Sequence, residues 1–391
     1  MKPASGFDSL RREHDALMIW LVERALTLWW EVGADRKQGG FFEQIGQDGK
    51  VIDGPRRVRV SARQIYSFAT GREFGWNGPV EAIEHGLNYL LGKGRMPGGC
   101  FRSVVAPNGS SVGRDFDLYD NAFGLFGLAA ACRAGIRAQE MISTAKEILG
   151  VLRREFDNPR GGFEESNPRT LPLKANPHMH LLEASLAWIE LAPGDRDWNE
   201  LADEIAELCL AKFIEPANGC VREFFDDAWE PAVGDAGRIA EPGHQFEWAW
   251  LLSRWSKLRD RPDALAAART LVSIGERFGV DPSRGAAFNE IWTDLTPKDA
   301  MARLWPQTER IRGWLKMAAF GHSPAECDAA FGKAAAAAAS LRRYLETPIP
   351  GLWRDRMDGA GKFVEEPAPA SSLYHIVGAI AEMHAAVAET A

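Results

Sequence analysis

Apolar side chains recur at helical spacing in paired segments along nearly the whole chain. In residues 61–74, Ile65, Phe68 and Ala69 fall on one face, the three- and four-residue step of an α-helix, and residues 79–93 follow as a partner. The same pairing predicts helices over 120–133 with 137–155, 178–191 with 197–213, 244–258 with 261–278, and 308–319 with 324–345. The last apolar segment, 372–387, finds its partner at the other end of the chain, in residues 8–33. A ring of helical hairpins requires that pairing of the two ends.

Glycine-bearing turns punctuate the pairs. They occur at Gly39–Gly40, Gly98–Gly99, Gly161–Gly162, Gly219, Gly285 and Gly351, each with an aromatic or apolar residue close behind. Successive steps of 59, 63, 58, 66 and 66 residues mark one supersecondary unit copied around the molecule. The expected fold is an all-α (α/α)6 barrel: one domain over residues 1–391, with six inner and six outer helices and short hairpin-like loops at one mouth. An inner helix touches neighbours on every side and reads as apolar nearly all round, so it tolerates polar residues only near a mouth. Arg63, Asp120, His180, His244, Glu309 and His375 each stand near the start of a predicted inner helix. Helix starts also offer unpaired N–H groups to a polyhydroxylated or anionic ligand.

Composition narrows the partners. A net charge of -8 gives no electrostatic footprint for nucleic acid. No stretch is apolar for long enough to span a membrane, and the N-terminus lacks a signal peptide's apolar core. Five scattered cysteines without a CxxC pair suggest reduced thiols in the cytoplasm. Most of the 14 tryptophans and 20 phenylalanines read as core filling, Trp248, Trp250 and Trp255 among them. Trp305 and Trp353 stand beside polar residues just before inner helices and read as stacking surfaces for a sugar ring.

The candidate chemistry centres on histidine. Three of the eight histidines, His180, His244 and His375, begin predicted inner helices. Glu183 and Glu247 follow the first two by three residues, on the same helical face, where a carboxylate could fix the imidazole tautomer. Proton transfer is one reading. The two HxxE pairs could instead hold a divalent ion, but the chain has no HExxH and no clustered Cys and His spacing, and His178 and His180 diverge on a helix; no metal and no cofactor are expected. An inverting glycosidase built on Asp120, Glu247 and Glu309 would leave the histidines without a role. A non-catalytic carbohydrate-binding toroid is the other class.

The segments RVRVSARQIYSFA (57–69), DLYDNAF (117–123), NPHMHLLEA (176–184), RIAEPGHQFEWAWLL (238–252), LWPQTERI (304–311) and SSLYHI (371–376) resemble the N-acylglucosamine 2-epimerase superfamily of sugar epimerases and isomerases. The likeness runs along essentially the whole chain and leans toward the mannose isomerase and phosphomannose isomerase branch. It implies an (α/α)6 barrel working without a metal. It also implies that His244 and His375 are the catalytic pair, with Arg63 holding the sugar's oxygens near C1 and C2 and Arg238 on a substrate loop. His180 matches a histidine of the isomerase and cellobiose epimerase branches, which leans away from an N-acetylated substrate. Asn176, Glu247, Glu309, Trp305 and Trp353 fall where relatives place substrate-contacting or supporting groups.

The implied chemistry is an enediolate formed from an open-chain aldose, with His375 as base, Arg63 as stabiliser and His244 as the acid that opens the ring. The expected reaction interconverts mannose and fructose, free or as 6-phosphates; the alternative is 2-epimerisation of an N-acylglucosamine or cellobiose type. Arg56, Arg57 and Arg59 could clamp a phosphate or form a solvated basic edge. The expected partner is a small sugar, and the expected assembly a monomer or homodimer.

Overall fold

In the computed structural model, which describes residues 5–113 and 115–390, the predicted segments are helices with ends shifted by a few residues. Residues 1–4, 114 and 391, which the single-domain expectation also takes in, lie outside the described residues. In chain order the helices are α1 (Gly6–Trp20), α2 (Leu26–Glu31), α3 (Val58–Glu73), α4 (Glu81–Leu91), α5 (Leu118–Arg133), α6 (Ala138–Glu155), α7 (Ala175–Leu191), α8 (Arg196–Leu208), α9 (Pro242–Arg259), α10 (Pro262–Gly279), α11 (Trp305–Ala319), α12 (Pro324–Tyr344) and α13 (Leu373–Thr390). A single π-turn, Leu21–Ala25, carries α1 into α2. Local chemistry sets several starts. Asp117, Asp195 and Ser323 accept the first free N–H groups of α5, α8 and α12, and proline occupies the first turn of α9 to α12.

Burial separates two kinds of helix. On α9 every residue from Pro242 to Ser253 is buried, whereas α8 buries Trp198, Leu201, Ala202 and Ile205 on one stripe. The all-round buried helices pack in succession, α3 on α5, α5 on α7, α7 on α9, α9 on α11, α11 on α13 and α13 on α3. The amphipathic ones lie outside: α4 covers α3, α6 covers α5, α8 covers α7, α10 covers α9 and α12 covers α11, while α1 packs on α12 and α13.

Five of the six glycine turns close antiparallel hairpins at the ends of outer helices, and the sixth, at Gly351, is a loop closed by the Arg354 N–H donating to the Tyr344 carbonyl. Gly162 has φ +70, and a Cβ there would stand 2.8 Å from the His178 ring nitrogen, so only glycine fits. Short strands just before the inner helices then tie each repeat to the next. Arg56–Arg57 pairs with Val104–Val105, Leu173–Lys174 with Phe224–Phe225, Ile239–Ala240 with Glu290–Trp292, and Ala302–Arg303 with Arg356–Met357. Asp117 bridges Ser166, and Ala368–Pro369 before α13 pairs with Gln44–Ile45 of the first repeat. The ties gather the starts of all six inner helices at one rim. Among the described residues, no helix is long and apolar enough to cross a membrane.

Candidate active site

A cavity of ≈ 240 Å³ opens between the starts of the inner helices. Seven of the ten predicted site residues line it: Arg63 from α3, Asn176 and His180 from α7, His244 and Glu247 from α9, Trp305 from α11 and His375 from α13. Each comes from the first turns of its helix, where the rim exposes side chains that the all-round packing below would bury.

His244 and His375 both pack against Trp305, with ring centroids 4.9 and 5.7 Å from it. In each imidazole Nδ1 is engaged by a carboxylate, Glu223 at 2.9 Å for His244 and Glu309 at 2.8 Å for His375. Nε2 of each ring has no hydrogen-bond partner among the described residues, and it is the nitrogen left for a ligand. Their charges are set apart by their surroundings. Burial alone would lower His244, but Glu223 and Glu241 hold it at about 10, so it is an imidazolium at neutral pH. Burial, then the positive fields of its neighbours, Arg63 foremost and Arg312 behind it, push His375 well below the ordinary histidine range. His375 is therefore neutral, with its proton on Nδ1 toward Glu309 and a lone pair on Nε2.

Arg63 is held by its own bonds. It donates to the Ser371 carbonyl at 3.1 Å and the Tyr119 hydroxyl at 2.8 Å and stacks 4.0 Å over Phe123. His180 pairs through Nδ1 with Glu183 at 3.0 Å; burial brings its pKa down to about 4 in spite of that carboxylate. Beneath these rings lies Arg312, whose guanidinium approaches Glu309 at 2.7 Å, Glu183 at 3.2 Å and Glu247 at 4.0 Å. Tyr374 also donates to Glu183 at 2.5 Å. Glu247 stands in this crowd with neither carboxyl oxygen hydrogen-bonded, and burial followed by the charges of Glu309 and Glu183 pushes its pKa well up.

Among the described residues, three side-chain groups could hold a cation: His180 with Glu183 and Glu247, Glu223 with Glu241 and His244, and Glu247 with Glu309 and His375. In the first and third, the Arg312 guanidinium already serves the carboxylates as counter-ion. In all three, the imidazole Nδ1 is committed to a carboxylate.

Residues 40–379 match the sequence model of the N-acylglucosamine 2-epimerase (GlcNAc 2-epimerase) family. The chain belongs to that family. It is a sugar isomerase or epimerase. The mannose-6-phosphate isomerase of Rhizobium meliloti (strain 1021) is 44% identical over 369 residues, covering 93% of this chain and 95% of that relative. A D-mannose isomerase of Pseudomonas cannabina pv. alisalensis is 28% identical over 298 residues, 70% of each chain. The solved cellobiose 2-epimerase of Spirochaeta thermophila DSM 6192 superposes with a TM-score of 0.84 at 22% identity over 98% of both chains, a likeness of fold.

Within this family member, three predicted residues stand away from the cavity wall. Glu309 is fully buried behind His375 and supports it. Trp353 is not a stacking surface: the Gly351 turn sends it outward, where it is fully buried and stacks at 4.8 Å on Trp29. Arg238 lies outside the cavity, half-exposed, 4.9 Å over Trp292 and 3.4 Å from Asp294. The expected pairing of His244 with Glu247 is also corrected, because Glu223 of the preceding hairpin takes Nδ1 instead. Sequence reading passed over Glu223, Glu241 and Arg312. Their only signal is position, on a hairpin or one turn deeper along α11, and tertiary packing alone brings them to the histidines.

Proposed function

We propose that this protein is an aldose–ketose isomerase that interconverts mannose and fructose, free or as the 6-phosphates, through a cis-enediolate and without a metal. The observation that carries the reading is the pair of imidazoles lining one cavity, each with Nδ1 on a carboxylate and Nε2 without a partner among the described residues, and with surroundings that pull their pKa values in opposite directions. The names of the 44% and 28% identical relatives support the sugar. The ring of mutually packed inner helices, tied last to first at the rim, supports a single closed (α/α)6 toroid.

The His244 imidazolium donates its proton to the ring oxygen as the hemiacetal opens and takes up the O1 proton as the C1 carbonyl forms, which restores the imidazolium. His375 Nε2 then takes the proton from C2, the electron pair forms the C1–C2 double bond, and the negative charge on O1 rests against Arg63. A proton passes from O2 to O1 by way of His244. The O2 carbonyl forms as His375 returns its proton to C1, giving the ketose. Delivery to C2 from the opposite face would give the epimer, so product analysis discriminates the two.

Incubation with mannose or mannose 6-phosphate in heavy water tests the reading by NMR. Deuterium at C1 of the ketose, abolished in His375→Ala and unaffected by a chelator, is expected. Exchange that survives in His375→Ala, or a chelated protein revived by a divalent ion, would overturn it.

A further inference from the structure

Four guanidinium groups line the sugar cavity, those of Arg57, Arg59, Arg63 and Arg303. They are not equally occupied. Arg59 turns Nη1 onto both oxygens of the buried Asp120 at 2.9 and 3.0 Å, and Arg63 gives Nη1 to Ser371 and Nη2 to Tyr119. Arg57 uses Nε and Nη2 on Glu43 and keeps Nη1 free. The Arg303 guanidinium makes no hydrogen bond to any described residue; its nearest carboxylate oxygen, on Asp355, is 3.5 Å away.

Arg303, the guanidinium without a hydrogen bond, and Arg57, with Nη1 free, share a place. Arg57 immediately precedes α3 and Arg303 stands on the strand leading into α11, while Ser371 stands in the turn before α13, which packs between those helices. Arg57, Arg303 and Ser371 also line the adjoining chamber of ≈ 380 Å³, so they stand where the sugar cavity meets the outside. The Ser371 hydroxyl has no partner among the described residues. Among the described residues lining the cavity, the only carboxyl groups are Glu241 and Glu247. Four guanidinium groups against two carboxyl groups give the cavity wall a positive balance, and Asp299, Asp355 and Glu366 stand further out, in the adjoining chamber. The guanidinium fork of Arg303 and the free Nη1 of Arg57, approaching from two helix entrances, match the acceptor oxygens of a phosphate.

We propose that Arg303 and Arg57, with Ser371 between them, clamp the phosphate of a hexose 6-phosphate at the mouth of the cavity. The inference rests on the isomerase reading and narrows its substrate to the phosphorylated sugar.

The test measures kcat/KM for mannose 6-phosphate and for mannose, with calorimetric binding of both sugars, in the wild type, Arg303→Gln and Arg303→Lys. The wild type should prefer the 6-phosphate. Loss of a charge-assisted hydrogen-bonding fork should cut that preference about 10- to 100-fold in Arg303→Gln, with part of it restored by lysine's charge. A wild type indifferent to the phosphate, or a preference unmoved in Arg303→Gln, overturns the clamp while leaving the isomerase intact. Turnover of neither sugar sinks the isomerase reading. Calorimetry then decides the clamp: tighter binding of the 6-phosphate that Arg303→Gln abolishes supports it, and equal binding of the two sugars overturns it.

Discussion

Glu309 accepts the Nδ1 proton of His375 at 2.8 Å across 66 residues of chain, and Arg312, one turn further along the same helix, holds Glu309 in place at 2.7 Å. This relay fixes the tautomer that leaves a lone pair on Nε2. Glu309→Gln removes the charge that selects it, and an amide can offer its N–H to the ring instead of its carbonyl. We expect kcat to fall on the order of 10²–10⁴-fold, the range associated with a misdirected catalytic imidazole, with KM nearly unchanged. Steady-state kinetics beside a thermal melt separates this from misfolding; an unchanged kcat in a folded variant refutes the relay.

The two histidines set the pH profile. Activity needs His375 neutral, so it is lost on acidification only well below the usual histidine range. It also needs His244 protonated, so it is lost as pH rises through about 10. The plateau should span neutral pH with its alkaline limb near that value. Glu223→Gln takes away the largest field raising His244, and the alkaline limb should move down toward the ordinary histidine value of roughly 6.5. Superimposable profiles for kcat/KM would remove Glu223 from the mechanism.

The helical hairpins and their ring order were legible because packing repeats as a period, and the first turns of the inner helices were legible because polar residues are rare on all-buried helices. Arg63, His180, His244 and His375 were found that way. What lay hidden was pairing between repeats. Nothing near His244 in sequence distinguishes Glu247 from Glu223; the hairpin that delivers Glu223 does so only once Leu173–Lys174 and Phe224–Phe225 pair. Trp353 shows the converse error. Nearness in sequence to a helix start suggested the mouth, but a positive-φ glycine two residues earlier turns the indole onto Trp29.

His178 has a structural task that the repeat makes testable. Its Nε2 accepts the Phe163 N–H at 3.0 Å while Nδ1 donates to the Lys174 carbonyl. In other repeats an amide performs the service: Asn121 brackets the backbone of Phe101, Gln245 that of Val221, and Gln307 that of Ala287. His178→Gln should therefore keep stability within about 1 kcal/mol, whereas His178→Ala, which strands a buried N–H, should cost about 1–3 kcal/mol. Burial also lowers the His178 pKa to about 4, so the unfolded chain binds this proton more readily and stability falls as pH drops from roughly 6.5 toward 4. Denaturant melts of the glutamine variant should show a smaller acid loss than the wild type; equal losses would show that His178 contributes nothing to it.

Glu247 faces the sugar cavity with two buried oxygens that have no hydrogen-bond partner among the described residues, while one guanidinium already serves Glu183 and Glu309. A third negative charge there is opposed by both neighbours, so the carboxyl group is held neutral and can donate to a sugar oxygen. Glutamine copies that neutral donor, and Glu247→Gln should keep kcat/KM within about tenfold, whereas Glu247→Ala should lose about 10²-fold. Stability gives an independent reading. A carboxyl group whose pKa rises on folding costs the native state progressively as pH climbs above the unfolded value of roughly 4.3. The glutamine variant should accordingly match the wild type in acid and exceed it in thermal stability at pH 7–8. If the glutamine variant is as inactive as alanine and gains nothing at neutral pH, Glu247 works as a carboxylate.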